Sequence, residues 1–219
     1  VRLSPRDAGA APPTARDGPP LAILGHFRAG VASGLGMAVL RSGAVHVGLM
    51  SAGEPAGQGT RWMTDGRVYE GMWEGGLPHG HGEMRTPLPA SADASGGAWA
   101  ERYVGAWAHG ERVGEGRAEA AGWRYVGQWE RRPHGRGTLV DDADGGSTYV
   151  GELRAGVPHG RGELRVHGTG ATLTGEWREG ALGAGSVAYA DGAEYDGELD
   201  GPSKATLVPH GAGCRVEPD

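Results

Sequence analysis

YEGMWEGGLPHGHGEMRT, residues 69–86, reads as a strand, a turn and a returning strand. Alternate residues of a strand share a face, so Tyr69, Gly71 and Trp73 point one way while Glu70 and Met72 point the other. A glycine inside a strand marks a close approach, here a gap between two rings that an aromatic side chain or backbone of the next hairpin would enter. Gly75, Gly76, Pro78 and Gly80 supply the turn: glycine reaches positive φ and proline presets its own φ.

The same arrangement recurs along the chain. Gly25, Gly48, Gly71, Gly105, Gly127, Gly151, Gly175 and Gly197 each stand two residues after a large residue (Ile23, His46, Tyr69, Tyr103, Tyr125, Tyr149, Leu173, Tyr195). Each also stands two before another (Phe27, Met50, Trp73, Trp107, Trp129, Leu153, Trp177, Leu199). Successive glycines lie 23, 23, 34, 22, 24, 24 and 22 residues apart, a period that signals a stacked array. A second glycine, at Gly43, Gly66, Gly122, Gly146, Gly170 and Gly192, closes the units, twice as an Asp-Gly pair at 65–66 and 191–192. Each unit is therefore expected to be one β-hairpin with a short link to the next. An isolated hairpin is marginal in water, so stability must come from its neighbours.

Composition agrees with thin local cores. Of 219 residues, 44 are Gly and 14 Pro, and the apolar material is concentrated at the repeat positions. The net charge of −6, with basic residues scattered, lacks the footprint of a nucleic-acid binder, and no nucleic-acid partner is expected. The single Cys214 leaves no internal disulfide framework and fits a reducing compartment. No stretch reaches the ~18 apolar residues of a spanning helix. Residues 1–20 read as a disordered or extended leader, 21–215 as the array and 216–219 as a tail.

The pattern YxGxWxxGxxHGxG is whole at Tyr69 to Gly82 and substituted at Tyr103 to Gly116 and Tyr149 to Gly162. It resembles the MORN repeat (membrane occupation and recognition nexus), over residues 23 to about 213. The resemblance implies an all-β fold: an elongated, single-layer antiparallel sheet of about eight stacked hairpins, an open solenoid-like rod, starting near 23, 46, 69, 103, 125, 149, 173 and 195. Repeats one and two are degenerate, as capping units would be. Repeats five (YVGQWERRPHGRG) and seven (LTGEWREGALGAG) are each one residue short, which places the shortening in the turn. GPSKATLVP, 201–209, enlarges the last hairpin, and the insertion at about 85–100 reads as a solvent loop.

Catalytic chemistry is not expected. The repeated histidines His79, His134, His159 and His210 would lie about 10 Å apart in stacked hairpins, too far to share a metal. No glycine run continues into a phosphate loop, no serine sits in GxSxG, and an open sheet offers no desolvated cleft to separate carboxyl pKa values. No enzyme, cofactor or metal is expected. The aromatic ladder, Tyr69, Trp73, Tyr103, Trp107, Tyr125, Trp129, Tyr149, Trp177 and Tyr195, is expected both to hold the stack and to leave a groove for a partner segment such as a helix. Trp62, Trp99 and Trp123 are expected on a second surface. Arg124, Arg131, Arg132 and Arg136 form a local basic cluster, read either as a solvated turn or as a patch for an anionic partner.

The resemblance implies a non-catalytic scaffold holding other protein subunits in a larger assembly. Its setting would be cytoplasmic: the cytoskeleton or the cilium or flagellum, with radial spokes as one instance, or an organellar assembly. A peripheral module binding anionic phospholipid is the alternative, disfavoured by the negative charge, and the regulatory part of a MORN-containing enzyme is a third.

Overall fold

The computed structural model describes residues 20–88, 99–143, 145–200 and 208–217. The chain divides into two compact units between Ala121 and Gly122. The first holds β1 (Ala22–Arg28), β2 (Val31–Val39), β3 (Val45–Ser51), β4 (Glu54–Trp62), β5 (Val68–Glu74), β6 (Leu77–Pro87), β7 (Trp99–Ala108) and β8 (Glu111–Ala120). The second holds β9 (Trp123–Glu130), β10 (Arg132–Asp141), β11 (Ser147–Arg154), β12 (Val157–Val166), β13 (Thr172–Arg178), β14 (Ala181–Ala188), β15 (Glu194–Asp200) and β16 (Val208–Val216). No helix occurs among the described residues. In each unit the strands pair antiparallel in chain order and the sheet stays open, as the hairpin reading expects. The leader to residue 19, residues 89–98 of the insertion and 201–207 of the last hairpin lie outside the described residues.

The register follows one rule. In each of the fourteen strand pairs set out within the units, a glycine faces a glycine: Gly25 to Gly36 and on to Gly48, Gly59, Gly71, Gly82, Gly105 and Gly116, then Gly127 through Gly137, Gly151, Gly162, Gly175, Gly185 and Gly197 to Gly213. Five tyrosines lie over such pairs. A methyl group on Gly82 would overlap the Tyr69 ring, and one on Gly162 the Tyr149 ring. The space left by the glycines is thus filled by the tyrosine of the same hairpin, not by a neighbour. Each of these phenols donates to the carbonyl three residues on: Tyr69 to Met72 (3.0 Å), Tyr103 to Ala106 (3.0 Å), Tyr125 to Gln128 (2.9 Å), Tyr149 to Glu152 (2.8 Å) and Tyr195 to Glu198 (2.8 Å).

The hairpins turn through two residues with positive φ, the geometry that matches strand twist. Gly75 and Gly76 take it in the third hairpin, whereas Ala29, Ala52, His109, Ala155 and Glu179 adopt φ near 50° ahead of a glycine in others. After each turn the returning strand carries a bulge before its glycine. In hairpin five a single residue, Arg131 (φ 62°), separates the paired Glu130 and Arg132, so its shortening does lie in the turn. Hairpin seven differs from the expectation: Glu179 and Gly180 form a full two-residue turn, and the missing residue comes from the bulge, where Trp177 faces Leu182 and Gly175 faces Gly185. In hairpin eight Asp200 faces Val208, so Val208 and Pro209 belong to the strand and the enlargement is confined to 201–207.

Between hairpins, the link glycines Gly43, Gly66, Gly122, Gly146, Gly170 and Gly192 all have φ between 70° and 90°. Asp65 and Asp191 accept hydrogen bonds from the backbone N–H two residues on, at 3.1 and 3.0 Å, which is how Asp-Gly fixes these turns.

Candidate functional site

One face of each sheet, the front, carries the aromatic ladder. Tyr69, Tyr103, Tyr125 and Tyr149 are 0% exposed, and Trp73, Trp107, Trp129, Trp177 and Tyr195 are no more than 5% exposed. Burial pushes the phenols of Tyr69, Tyr103 and Tyr149 well above the ordinary tyrosine range. The Tyr69 ring meets the edge of Trp73 at 5.0 Å and of Trp107 at 5.2 Å, and Trp107 also meets Tyr103 at 5.2 Å, so that Trp107 wedges between the tyrosine of its own hairpin and that of the preceding one. The indole N–H then reaches back: Trp73 donates to the Gly59 carbonyl (3.0 Å), Trp107 to Gly82 (3.2 Å) and Trp177 to Gly162 (3.0 Å). A turn glycine makes a second backward bond, Gly76 to the Pro55 carbonyl (3.1 Å), Gly110 to Pro78 (2.9 Å), Gly156 to Pro133 (2.8 Å) and Gly180 to Pro158 (2.9 Å).

These nine aromatics are therefore the packing of the sheet and present almost no surface to a partner. The expectation that they line an open groove is corrected on that point. Strand alternation places them on one face, but each ring is covered by its neighbours in the stack.

The ladder breaks down over the first two hairpins. His46 holds the tyrosine position and Met50 the tryptophan position, while Ala32 and Ala38 stand where Pro78 and Met84 stand in hairpin three. The missing bulk leaves a furrow of about 620 Å³ on the front face. Its walls include Phe27, Val31 and Leu40, its floor includes Ala38, Met50 and Arg61, and Glu54 stands on its margin. Phe27 is 53% exposed, while Arg61, at a position that carries Met84, Leu139 or Leu164 elsewhere, is 3% exposed with its guanidinium 4.2 Å from the Trp73 ring centre. His46 is 0% exposed, edge-on to Trp73 at 5.0 Å. Burial, with the Arg61 charge adding to it, pushes its imidazole down to about 4, so it is neutral at ordinary pH. Reading repeats one and two as degenerate caps misses this furrow; the signal was the small residues at ladder positions.

A second exception lies in hairpin four. Arg112 takes the place that proline holds in hairpins two, three, five, six and eight, its guanidinium 4.6 Å from the Tyr103 ring centre and 2.5 Å from the Glu101 carboxylate. Both side chains are nearly buried, and the charge pair fills the site.

The basic cluster does not form one patch. Arg124 lies near the start of β9 and Arg131 at the hairpin turn, about 23 Å apart along an extended strand. Arg124 sits 3.8 Å from Asp142, Arg132 pairs across the strands with Glu130, and Arg136 with Glu152. Arg124, Arg132 and Arg136 thus each stand beside or opposite a carboxylate, which dilutes any field toward an anionic partner.

On the opposite face, the back, β5 to β8 carry a lattice of charge: Arg85 bridges Glu70 (2.9 Å) and Glu83 (3.0 Å), and Arg102 bridges Glu83 (2.8 Å) and Glu119 (3.2 Å). The hydrogen bond from Arg102 holds the Glu83 carboxyl below the usual range. Trp62 (46% exposed), Trp99 (36%) and the half-buried Trp123 stand at strand ends. His79 meets Glu74 at 3.2 Å and the His109 ring at 5.6 Å, and among the described residues no three His, Cys, Asp or Glu side chains stand together as a metal site.

Comparison with known proteins agrees with this repeat geometry. The profile of the MORN repeat matches residues 69–87, 103–119 and 149–165, which are hairpins three, four and six. Alsin of Rattus norvegicus is 35% identical over 79 residues, a stretch covering 33% of this chain and 5% of Alsin. The chain thus spans a small fraction of that relative's length.

Proposed function

We infer from its MORN repeats, which are non-catalytic modules that generally bind proteins or membranes, that this chain acts by binding. From that premise we propose that it is a scaffold subunit, holding protein partners in a larger assembly of the cytoskeletal kind, with the cilium or flagellum as its setting. The furrow over hairpins one to three carries this reading. Its volume of about 620 Å³ falls in the range of ligand-binding clefts, and its lining is mostly apolar with Arg61 and Glu54 to orient what enters. The occupant we propose is an apolar segment of a partner protein, whose side chains take the space that tryptophan and tyrosine take elsewhere in the stack.

The test fills the furrow with the array's own residue. Met50→Trp is expected to fold, because Trp73, Trp107 and Trp177 occupy the equivalent place and the Gly36 carbonyl would receive its indole N–H. Partners recovered from a native extract by the wild-type chain should be lost with Met50→Trp. Retention of the same partners by the filled variant refutes the furrow, and turnover of a substrate by the purified chain refutes the scaffold. Pelleting with phosphoinositide vesicles at physiological salt, strengthening as salt falls, would replace this reading with the membrane one.

A further inference from the structure

β1 is an edge strand: among the described residues it pairs with β2 alone. Sheet proteins guard such edges with charge, proline or a cover, since the open row of N–H and C=O groups templates another strand. β16 has such a guard, Arg215 ion-paired to Glu217 at 2.6 Å. In β1 the residues from 22 to 27, AILGHF, hold no Lys, Arg, Asp, Glu or Pro. The surroundings are apolar as well. On the back face Leu24 (71% exposed) pairs with Met37 (39%), Met37 with Val47 (43%), and Leu35 (62%) with Leu49 (39%), whereas the Leu24–Met37–Val47 row continues across β4 to β6 as Thr60, Glu70 and Glu83. A contiguous exposed apolar patch beside an unguarded edge marks an association surface.

We propose that two copies of this chain pair through β1, antiparallel, about a two-fold axis at Gly25. The register comes from the array itself. Glycine faces glycine in the fourteen strand pairs described, because a side chain at these positions would strike the facing backbone, as a methyl on Gly25 would strike Gly36 at 2.5 Å. Centring the new pair on Gly25 continues that row. It also makes the strand self-complementary: Ile23 faces the partner copy's Phe27 on the front, Leu24 faces His26 on the back, and Ala22 faces Arg28, so no two like charges meet. An isologous pair of this kind closes on itself. The rival contact, β1 of one copy on β16 of the next, keeps the glycine register but sets the ion-paired Arg215 against Ile23 and does not close. The pairing shares Ile23 and Phe27 with the furrow, but Met50→Trp leaves the β1 edge intact, so the two proposals are tested separately.

Sedimentation of the full chain from about 1 to about 100 μM is expected to show a reversible rise from 22.5 kDa to twice that mass and no further. Leu24→Lys, on a side chain that is mostly solvent-exposed, should keep the unfolding midpoint and weaken association at least about tenfold. In a Cys214→Ser background, the double variant Leu24→Cys with His26→Cys should form an intermolecular disulfide under mild oxidation, and neither single cysteine should, because residues 24 and 26 face each other only in the Gly25-centred register. A mass that stays at the monomer, growth beyond the dimer, a dimer indifferent to Leu24→Lys, or single-cysteine cross-linking equal to that of the pair each overturns the proposal.

Discussion

His46→Tyr gives the second hairpin the residue that the third, fourth, fifth, sixth and eighth already use, and its effect should depend on pH in a calculable way. The imidazole is buried and its pKa falls from an ordinary 6.5 to about 4 in the folded chain. A base whose folded pKa is depressed binds more protons unfolded than folded between those values. The contribution is therefore intact above pH 6.5 and is lost as pH falls from 6.5 toward 4. The full loss is about 3 kcal/mol, and at pH 5 it is about 2 kcal/mol. Tyrosine does not titrate in this window, and its hydroxyl would donate to the Leu49 carbonyl as Tyr69 does to Met72, worth about 1 kcal/mol. The variant should exceed wild type by about 1 kcal/mol at pH 7.5 and about 3 kcal/mol at pH 5. Urea unfolding at constant ionic strength measures the difference, and amide exchange in β3 and β5 locates it, since the other titrations cancel between the two chains. A difference that is the same at both pH values refutes the reasoning.

Three further perturbations follow from the ladder. Trp107→Ala removes the bond to Gly82 and the edge contacts with Tyr69 and Tyr103, and should destabilise the first unit by about 4 kcal/mol in calorimetry or urea unfolding. Gly82→Ala drives a methyl into the Tyr69 ring, and loss of the near-ultraviolet dichroism of the Tyr69–Trp73–Trp107 cluster should accompany a cost of about 2 kcal/mol or more. Tyr149→Phe keeps the ring and deletes only the bond to Glu152, so its cost should be about 1 kcal/mol by the same unfolding assay; a cost near that of Trp107→Ala would show that the hydroxyl does more than this bond.

The hairpins, their starts and the link turns were legible in the sequence because glycine reports backbone conformation directly, and Gly66 or Gly192 could hardly have been read otherwise. The covering of the rings was not legible. Alternation assigns Tyr69 and Trp73 to one face, but whether that face is open depends on Trp107, thirty-four residues beyond Trp73, wedging against Tyr69. The sequence cannot locate the shortening of hairpin seven, because a missing residue leaves the same length wherever it is lost; only pairing shows that the bulge gave it up. The furrow is not legible in the sequence because it is made of what is absent, bulk at residues 32, 38 and 50, and the roles of Arg61 and Arg112 are not because charged residues at apolar positions look like surface until their neighbours are known.

The backward bonds between hairpins all run one way. Trp73, Trp107 and Trp177 donate from a later hairpin to an earlier one, as do the turn amides of Gly53, Gly76, Gly110, Gly156 and Gly180. During synthesis the amino-terminal hairpins emerge first. Each new hairpin leaving the ribosome brings these indole and turn-amide donors to acceptors already in place, while the backbone ladder between hairpins donates in both directions. The stack is thus built for vectorial growth, in the direction of translation, with every completed hairpin serving as the template for the next.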